Sequence, residues 1–513
     1  MARWVVAMAI LCAWASQVEC AVKIPDNAPR MRHIPAMLAS QVEVSQRTLS
    51  DHTPPFSVPA SRPIDLFGDE NDNSACEAEG TCFARNSEAY SGVLYHVEPC
   101  TDGAAESALA AAIATLKLPP RKDIQLLESK VLQLDVTQDG IHQFTVMGFN
   151  YIKERYGFAF PVNHGMNFYL TFALGDNIHR VVVHLNTLEH EYSILEHTYR
   201  SAKEVSQEAV GRPVKIATYN VWNVNPPNGI YDDRWAVYNT RMDHLAKFLN
   251  EINADIVGLQ ELRIDDTFGP VGDHAQIQHL VHRLDENYQF VYRAAMSYVN
   301  KYVPLERIEE GPAIVSKHPI LSSDYVLLSR QLHDPNDVHQ RLCLHAAIQV
   351  PGYGVVDVYV THLSLSERSR EQTMVEIWEF MQQGKGDMQV LLGDLNAEPQ
   401  TKGIQFLQGK ASLQNVQTDL HDAWLELHPE PTPASGDPHD IANAFTFPSD
   451  APIKRIDYVL YRGQGRVTEC SIFGQDPTED TADFPKDKGM LSADRDSPVY
   501  ASDHRGVVAT FSL

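Results

Sequence analysis

The sequence predicts an α/β protein, and three observations carry that prediction. From Val214 onward, strand-like apolar runs alternate with helix-like amphipathic runs. Several of the strand-like runs end in a carboxylate or a carboxamide, the chemistry expected where strand ends line a site. The chain has 513 residues, more than one core usually supports, so two domains are expected. Hydrophobic residues make up 43% and charged residues 21%, an ordinary globular composition. The formal net charge is −25. An acidic chain does not concentrate polyanions by its overall field, which weighs against a nucleic-acid substrate unless a local basic groove exists.

Residues 1–20 read as a signal peptide: Arg3 supplies the positive end, and Trp4 to Ala15 is an apolar run too short to span a membrane. The expectation is a secreted protein, extracellular or lumenal, with no transmembrane segment. Residues 21–85 are rich in Pro, Ser, Asp and Asn and read as a flexible leader. Cys76, Cys82 and Cys100 cluster, and an oxidising compartment favours a disulfide among them. Cys343 and Cys470 stand apart.

Residues 86–208 read as a small α+β accessory domain. Ala104 to Leu116 is Ala-rich and helical. Val131 to Val136 and Gln143 to Phe149 are expected to form a hairpin turning at Asp139-Gly140, and Asn167 to Leu174 with His179 to Leu185 a second. Glu191 to Glu208 is polar and is expected to be a helix. His164, His179, His184 and His190 lie close in sequence, but their spacing fits no familiar metal site.

The second domain spans residues 213–513. Val214 to Asn220 is a strand ending in an amide, and Arg234 to Asn253 an amphipathic helix with Met242, Leu245, Phe248, Leu249 and Ile252 on one face. Asp255 to Glu261 is a strand ending in a carboxylate. Pro312 to Ser316 and Leu342 to Val350 are further strands, and Val355 to Thr361 leads into His362. Arg368 to Met381 is a helix. Val390-Leu391-Leu392-Gly393-Asp394-Leu395-Asn396 is the centre of the pattern: a buried strand delivers Asp394 and Asn396 two positions apart, so both can face one ligand. Arg455 to Leu460 is an apolar strand carrying Asp457, and Ser502-Asp503-His504 precedes a last strand, Val507 to Phe511.

Seven short stretches then occur in a telling order: TYNVW with Asn220, LQELR with Glu261, GPAIVSKHPI at 311–320, THLS at 361–364, GDLN at 393–396, RIDYVL at 455–460 and SDH at 502–504. Together they resemble the endonuclease/exonuclease/phosphatase superfamily, which includes DNase I-like nucleases and neutral sphingomyelinases. The resemblance implies a four-layer α/β/β/α sandwich with the site at one edge between two mixed sheets. It implies metal binding by Glu261, supported by Asn220 and Asp503. Asp394 would orient or deprotonate the attacking water, Asn396 would hydrogen-bond the phosphate or the nucleophile, and Asp457 would hold His504. His362 would touch a phosphate oxygen or the leaving oxygen, and Glu310 would orient it.

These residue types suit phosphate-ester hydrolysis, which needs a cation to neutralise charge, an oriented water and stabilisation of the leaving oxygen. Mg²⁺ prefers such oxygen ligands, and Mn²⁺ or Ca²⁺ are alternatives. The expected activity is a secreted, Mg²⁺-dependent phosphoesterase, best described as a phosphodiesterase. Its substrate would be a phospholipid headgroup, a nucleic acid or a small phosphodiester. A DNase I-like endonuclease and a catalytically silent extracellular binding protein are the competing expectations. Residues 296–310 and 329–345 are candidate substrate loops, with Tyr298, Tyr302 and Arg307 in the first.

Overall fold

The computed structural model describes residues 91–98, 102–138, 161–186, 191–201, 213–222, 238–265, 275–299, 307–331, 334–337, 339–428, 444–478 and 500–512. In chain order the first part runs β1 (Ser91–Glu98), α1 (Asp102–Thr115), β2 (Ile124–Gln138), β3 (Pro161–Leu174), β4 (Asn177–Asn186) and β5 (Glu191–Ser201). There follow β6 (Val214–Asn220), α2 (Tyr238–Ile252), β7 (Ile256–Asp265), α3 (Gln276–Val281), β8 (Gln289–Tyr292), β9 (Met296–Val299), β10 (Arg307–Ser316) and β11 (Ile320–Leu327). The chain continues through β12 (Leu342–Val350), β13 (Gly354–His362), α4 (Glu367–Met381), β14 (Met388–Asp394), α5 (Lys402–Leu407), β15 (His421–Asp422) and α6 (Ala423–Leu427). The last strands are β16 (Asp457–Gly463), β17 (Arg466–Phe473) and β18 (Gly506–Ser512).

Two mixed sheets result. The first has twelve strands in the order β1-β2-β3-β4-β5-β8-β10-β7-β6-β18-β17, with β9 also paired to β10. The second has six, in the order β11-β12-β13-β14-β16-β15. Parallel pairing occurs where a helix makes the return: α2 links β6 to parallel β7, and α4 links β13 to parallel β14. Ile216, Ile256, Ile314, Ala509 and Phe511 of the first sheet meet Leu344, Val358, Val360, Val390 and Leu392 of the second in one apolar layer. The outer face of the first sheet is covered by Met242, Leu245 and Leu249 of α2, Ile277 of α3 and Leu109 of α1. Met374, Ile377 and Met381 of α4 and Ile404 of α5 cover the second. The architecture is therefore the four-layer α/β/β/α sandwich. Gly258 sets the close approach of the sheets, since a Cβ there would lie 2.6 Å from Val360 Cγ2 and 2.9 Å from Leu392 Cδ1.

The amino-terminal strands continue the first sheet through the β5–β8 pairing. The β3–β4 hairpin forms as expected, with Gly175 at φ 57° in its turn. Two expectations fail. Residues 191–201 are strand β5, not helix. Their polar look is misleading, because Ser193, Glu196 and Thr198 are buried, and Glu196 is paired with Arg293 at 3.0 Å. Polar residues satisfied in this way hide a buried strand from a hydrophobicity pattern. The other failure is the hairpin turning at Asp139-Gly140. Strand β2 has both edges occupied, by β1 and by β3, and residues 139–149 lie outside the described residues.

Residues 1–90, with the expected signal and leader, also lie outside, as do Cys76, Cys82, Cys100, His190 and Tyr302, whereas His164 lies on strand β3. Cys343 and Cys470 are free and buried. Among the described residues, no helix is long and apolar enough to cross a membrane.

Candidate active site

The register of the second sheet places three of the expected residues in one row. His362 of β13 stands beside Asp394 of β14, and Asp394 stands beside Asp457 of β16. Directly opposed residues point to the same face, so all three share one edge of the sheet. The first sheet brings its own set to meet them: Asn220 ends β6, and Ser502-Asp503-His504 leads into β18, the neighbour of β6.

Glu261 arrives by a bulge. The β10–β7 register slips between Gly311 and Ala313, so Pro312, which has no N–H to donate, faces both Gln260 and Glu261. Glu261 takes up the slack at φ 59°, a conformation unfavourable for a side chain with a Cβ. Such strain persists where the surroundings enforce it and often marks a functional position. Asn396 is likewise at φ 49°, and Gly393 at φ 151°. At Gly393 a Cβ would stand 2.0 Å from the Thr361 carbonyl oxygen, so the approach to Asp394 is open only to glycine.

The side chains converge on Asp394 Oδ2. Asn220 Nδ2 donates to it at 3.1 Å and to Glu261 Oε1 at 3.0 Å. Both amide hydrogens are thus directed at carboxylates, and Asn220 Oδ1 accepts the Trp222 N–H at 3.0 Å. Asn220 therefore bridges the two acids by its amino group. His504 Nε2 and His362 Nε2 each lie 3.4 Å from the same Asp394 oxygen. Asp394 Oδ1 accepts the Asn396 N–H at 2.9 Å, and Asn396 Nδ2 donates to the Leu363 carbonyl at 3.0 Å.

His504 Nδ1 lies 3.0 Å from Asp457 Oδ2, and the Asp457 side chain is wholly buried. Among the described residues Asp457 Oδ1 has no hydrogen-bond partner, so an imidazolium at His504 is what compensates this carboxylate. The Phe447 ring packs on His504 at 4.8 Å between centroids, and Ser502 Oγ ties the segment to the Asn220 carbonyl at 2.6 Å. Burial alone lowers the His504 pKa, but Asp457 and then Asp394 outweigh it and hold the group up at about 10. Burial pushes Asp394 up to about 7, with His504 opposing and Asp457 adding. Burial also raises Asp503, to about 6, with His504 opposing and the Glu261 charge adding. Burial drives His362 well below the ordinary histidine range, followed by the Arg341 charge.

Glu261 and Asp503 are thus neighbouring carboxylates, and the Glu261 charge adds to the cost of ionising Asp503. An all-oxygen donor pair of that kind fits a hard divalent cation. Asp394, Asp457 and His504 also present ligand atoms within 4.8 Å of one another. That trio includes a ring nitrogen, whereas Glu261 and Asp503 offer oxygen only, so the Glu261–Asp503 side is the better fit for a hard cation.

Two residues without a motif of their own complete the site. Arg341 Nη1 lies 3.0 Å from His362 Nδ1 and 3.7 Å from Glu310 Oε1, so the guanidinium reaches both the histidine and its expected partner. The only sequence signal for Arg341 is its place in the 329–345 segment. Thr446 Oγ1 receives the Asp457 N–H at 3.3 Å and fixes the strand entry, and nothing in the sequence marks it. In the first candidate loop, Tyr298 lies on β9 and pairs with Ile308, next to Arg307 at the start of β10.

Comparison with known proteins follows the same lines. Residues 217–504 match the model of the Endonuclease/Exonuclease/phosphatase family. Human sphingomyelin phosphodiesterase 2 is 26% identical over 293 residues, covering 53% of this chain and 59% of that protein. The chain thus spans less than two thirds of the length of this curated relative. An endonuclease/exonuclease/phosphatase from Beutenbergia cavernae is 22% identical, covering 59% of this chain and 72% of its own, with a TM-score of 0.40. A mannosyl-6-phosphatase from Bacteroides thetaiotaomicron is 16% identical, covering 58% of this chain and 100% of its own, also with a TM-score of 0.40.

Proposed function

The chain belongs to the endonuclease/exonuclease/phosphatase family, and on that premise we propose that it is a Mg²⁺-dependent phosphodiesterase that hydrolyses a phosphate ester by attack of water. The observation that carries this reading is the convergence on Asp394 Oδ2. Asn220, His362 and His504 all face one buried carboxylate oxygen, from strand ends of two sheets. A purely structural acid needs one such partner, not three.

Glu261 and Asp503 would hold the cation, which supplies neutralisation of phosphate charge. Asp394 orients the water and takes its proton; a pKa near 7 keeps it a usable base at neutral pH. Asn220 fixes the angle between Asp394 and Glu261. His504, kept protonated by Asp457, presents a positive Nε2–H to the charge that grows on the phosphoryl oxygens. Asn396 is locked beside Asp394 by its own N–H and by the Leu363 carbonyl, in position to bond a phosphate oxygen.

The likeness to a sphingomyelin phosphodiesterase supports a choline-type phospholipid headgroup as the first substrate to try. The net charge of −25 supports a zwitterionic substrate over a polyanionic one, which places DNase-like activity second. We further infer that the protein acts outside the cytosol, on the strength of Arg3 and the apolar run Trp4 to Ala15. The test is a panel of sphingomyelin, a chromogenic soluble phosphodiester, DNA and RNA, each with Mg²⁺ and with EDTA. Metal-dependent turnover of a phosphodiester is the expected result. No turnover of any member would favour a silent binding protein and overturn the proposal.

A further inference from the structure

We infer that Arg341 is a positioning residue that fixes His362 as the neutral Nε2–H tautomer, so that His362 serves as a hydrogen-bond donor and keeps its proton through turnover. The inference rests on the phosphodiesterase reading for the word turnover, but its geometric content does not. A guanidinium carries N–H groups only and cannot accept. Arg341 Nη1 stands 3.0 Å from His362 Nδ1, so Nδ1 must be the acceptor and carries no hydrogen. The remaining nitrogen, Nε2, then bears the proton of the neutral ring, and it faces Asp394 Oδ2 at 3.4 Å.

The other groups facing the ring do not reverse this. Glu261 Oε1 is 3.8 Å from Nδ1, beyond hydrogen-bond reach and farther than the arginine, so it does not draw a proton to that nitrogen. Glu310 Oε1 is 3.7 Å from Arg341 Nη1, close enough to balance the guanidinium charge. His362 and Glu310 are both buried, so the set is shielded from solvent exchange of partners. A histidine held this way can stabilise a phosphoryl or leaving oxygen by its Nε2–H. Releasing that proton would leave an imidazolate beside two carboxylates, which is prohibitive.

The tautomer is read directly by long-range ¹H–¹⁵N NMR on metal-free, ¹⁵N-histidine-labelled protein, with His362→Gln assigning the signal. The expected spectrum shows His362 Nδ1 unprotonated and Nε2 protonated, and Arg341→Met should convert it to a tautomer mixture. On a soluble phosphodiester, Arg341→Met should lower kcat about 10- to 100-fold, the scale for partners that orient a functional side chain. KM should stay within about twofold. Arg341→Lys, which keeps charge and a donor, should recover part of the rate, and it covers the case in which the methionine variant folds poorly. In the His362→Gln background, Arg341→Met should add almost nothing, because its effect passes through the histidine. A protonated Nδ1 in the parent, a loss confined to KM, or additive losses in the double variant would each overturn the inference. Failure to find any substrate would overturn the phosphodiesterase reading alone, since the NMR result needs neither substrate nor metal.

Discussion

Replacing Asp457 by Asn tests the site at its most buried point. The change keeps the shape of the side chain and removes its charge. In the native protein His504 Nδ1 sits 3.0 Å from Asp457 Oδ2, and the pair holds the His504 pKa at about 10, above the ordinary 6.5. The pairing therefore contributes its full stability below about pH 6.5 and loses it as the pH rises through about 10. Removing one partner of a buried charge pair typically costs about 3–5 kcal/mol. The Asp457→Asn variant should be destabilised by an amount of that order in urea unfolding at pH 6, and the gap should narrow toward pH 10. Without its carboxylate, His504 is left with burial as the dominant influence, so its titration, followed by NMR, should move far down. Turnover should fall by roughly two to four orders of magnitude, the scale for losing an acid–base group or its orienter. Substrate affinity should change far less. An unaltered rate together with an unaltered His504 titration would mean that the two residues are not a working pair, and the assignment of the site would be wrong at its centre.

Three further outcomes are expected. Glu261→Gly should abolish Mg²⁺ binding by calorimetry and cut turnover at least about a thousandfold. It should nevertheless leave the fold about 1 kcal/mol more stable, because it relieves the φ of 59° at the bulge; retained metal binding would remove Glu261 from the cation site. For Asp394, the folded pKa of about 7 lies above the ordinary 3.8, so ionising it in the folded protein costs stability, progressively as pH rises from about 4 through about 7. Metal-free Asp394→Asn should accordingly melt higher than the parent at pH 8 while turning over at least about a hundredfold more slowly, and the parent's own rate should fall as pH drops below about 7; an unchanged melting temperature would contradict the burial argument. Gly393→Ala should lose more than about 2 kcal/mol in thermal unfolding, since its Cβ would meet the Thr361 carbonyl oxygen at 2.0 Å, and a variant as stable as the parent would show that the strand end relaxes.

What could be read from the sequence was what local spacing encodes. Asp394 and Asn396, two apart at the end of an apolar run, were legible because a strand fixes which way they point. Asp457 was legible because a charge inside Ile456 to Leu460 demands a partner, and the motif order supplied His504. The α2 and α4 helices followed from their apolar spacing. Strand β5 was not legible, because Glu196 is buried against Arg293, a residue nearly a hundred positions away (|i−j| = 97). Arg341 was invisible as part of the site for the same reason. A lone arginine gains meaning only when β12 and β13 lie side by side and carry it to His362. The orientation of Asn220 could not be read either: the motif names the amide, but only the Trp222 N–H on its oxygen shows which end faces the acids.

Gly258 lies one pleat beneath this assembly, where the missing side chain lets β7 settle against Val360 and Leu392. The site groups are divided between the sheets, with Asn220, Glu261, Asp503 and His504 on one and His362, Asp394 and Asp457 on the other. The gap between the two sets is therefore calibrated by a residue that touches no reactant. An added methyl there would act as a wedge under a hinge, spreading contacts of about three ångströms above it while leaving every functional side chain chemically intact. The spacing of these groups is set from beneath, and variants at Gly258 are a way to change the distance between the two sets without altering any of their side chains.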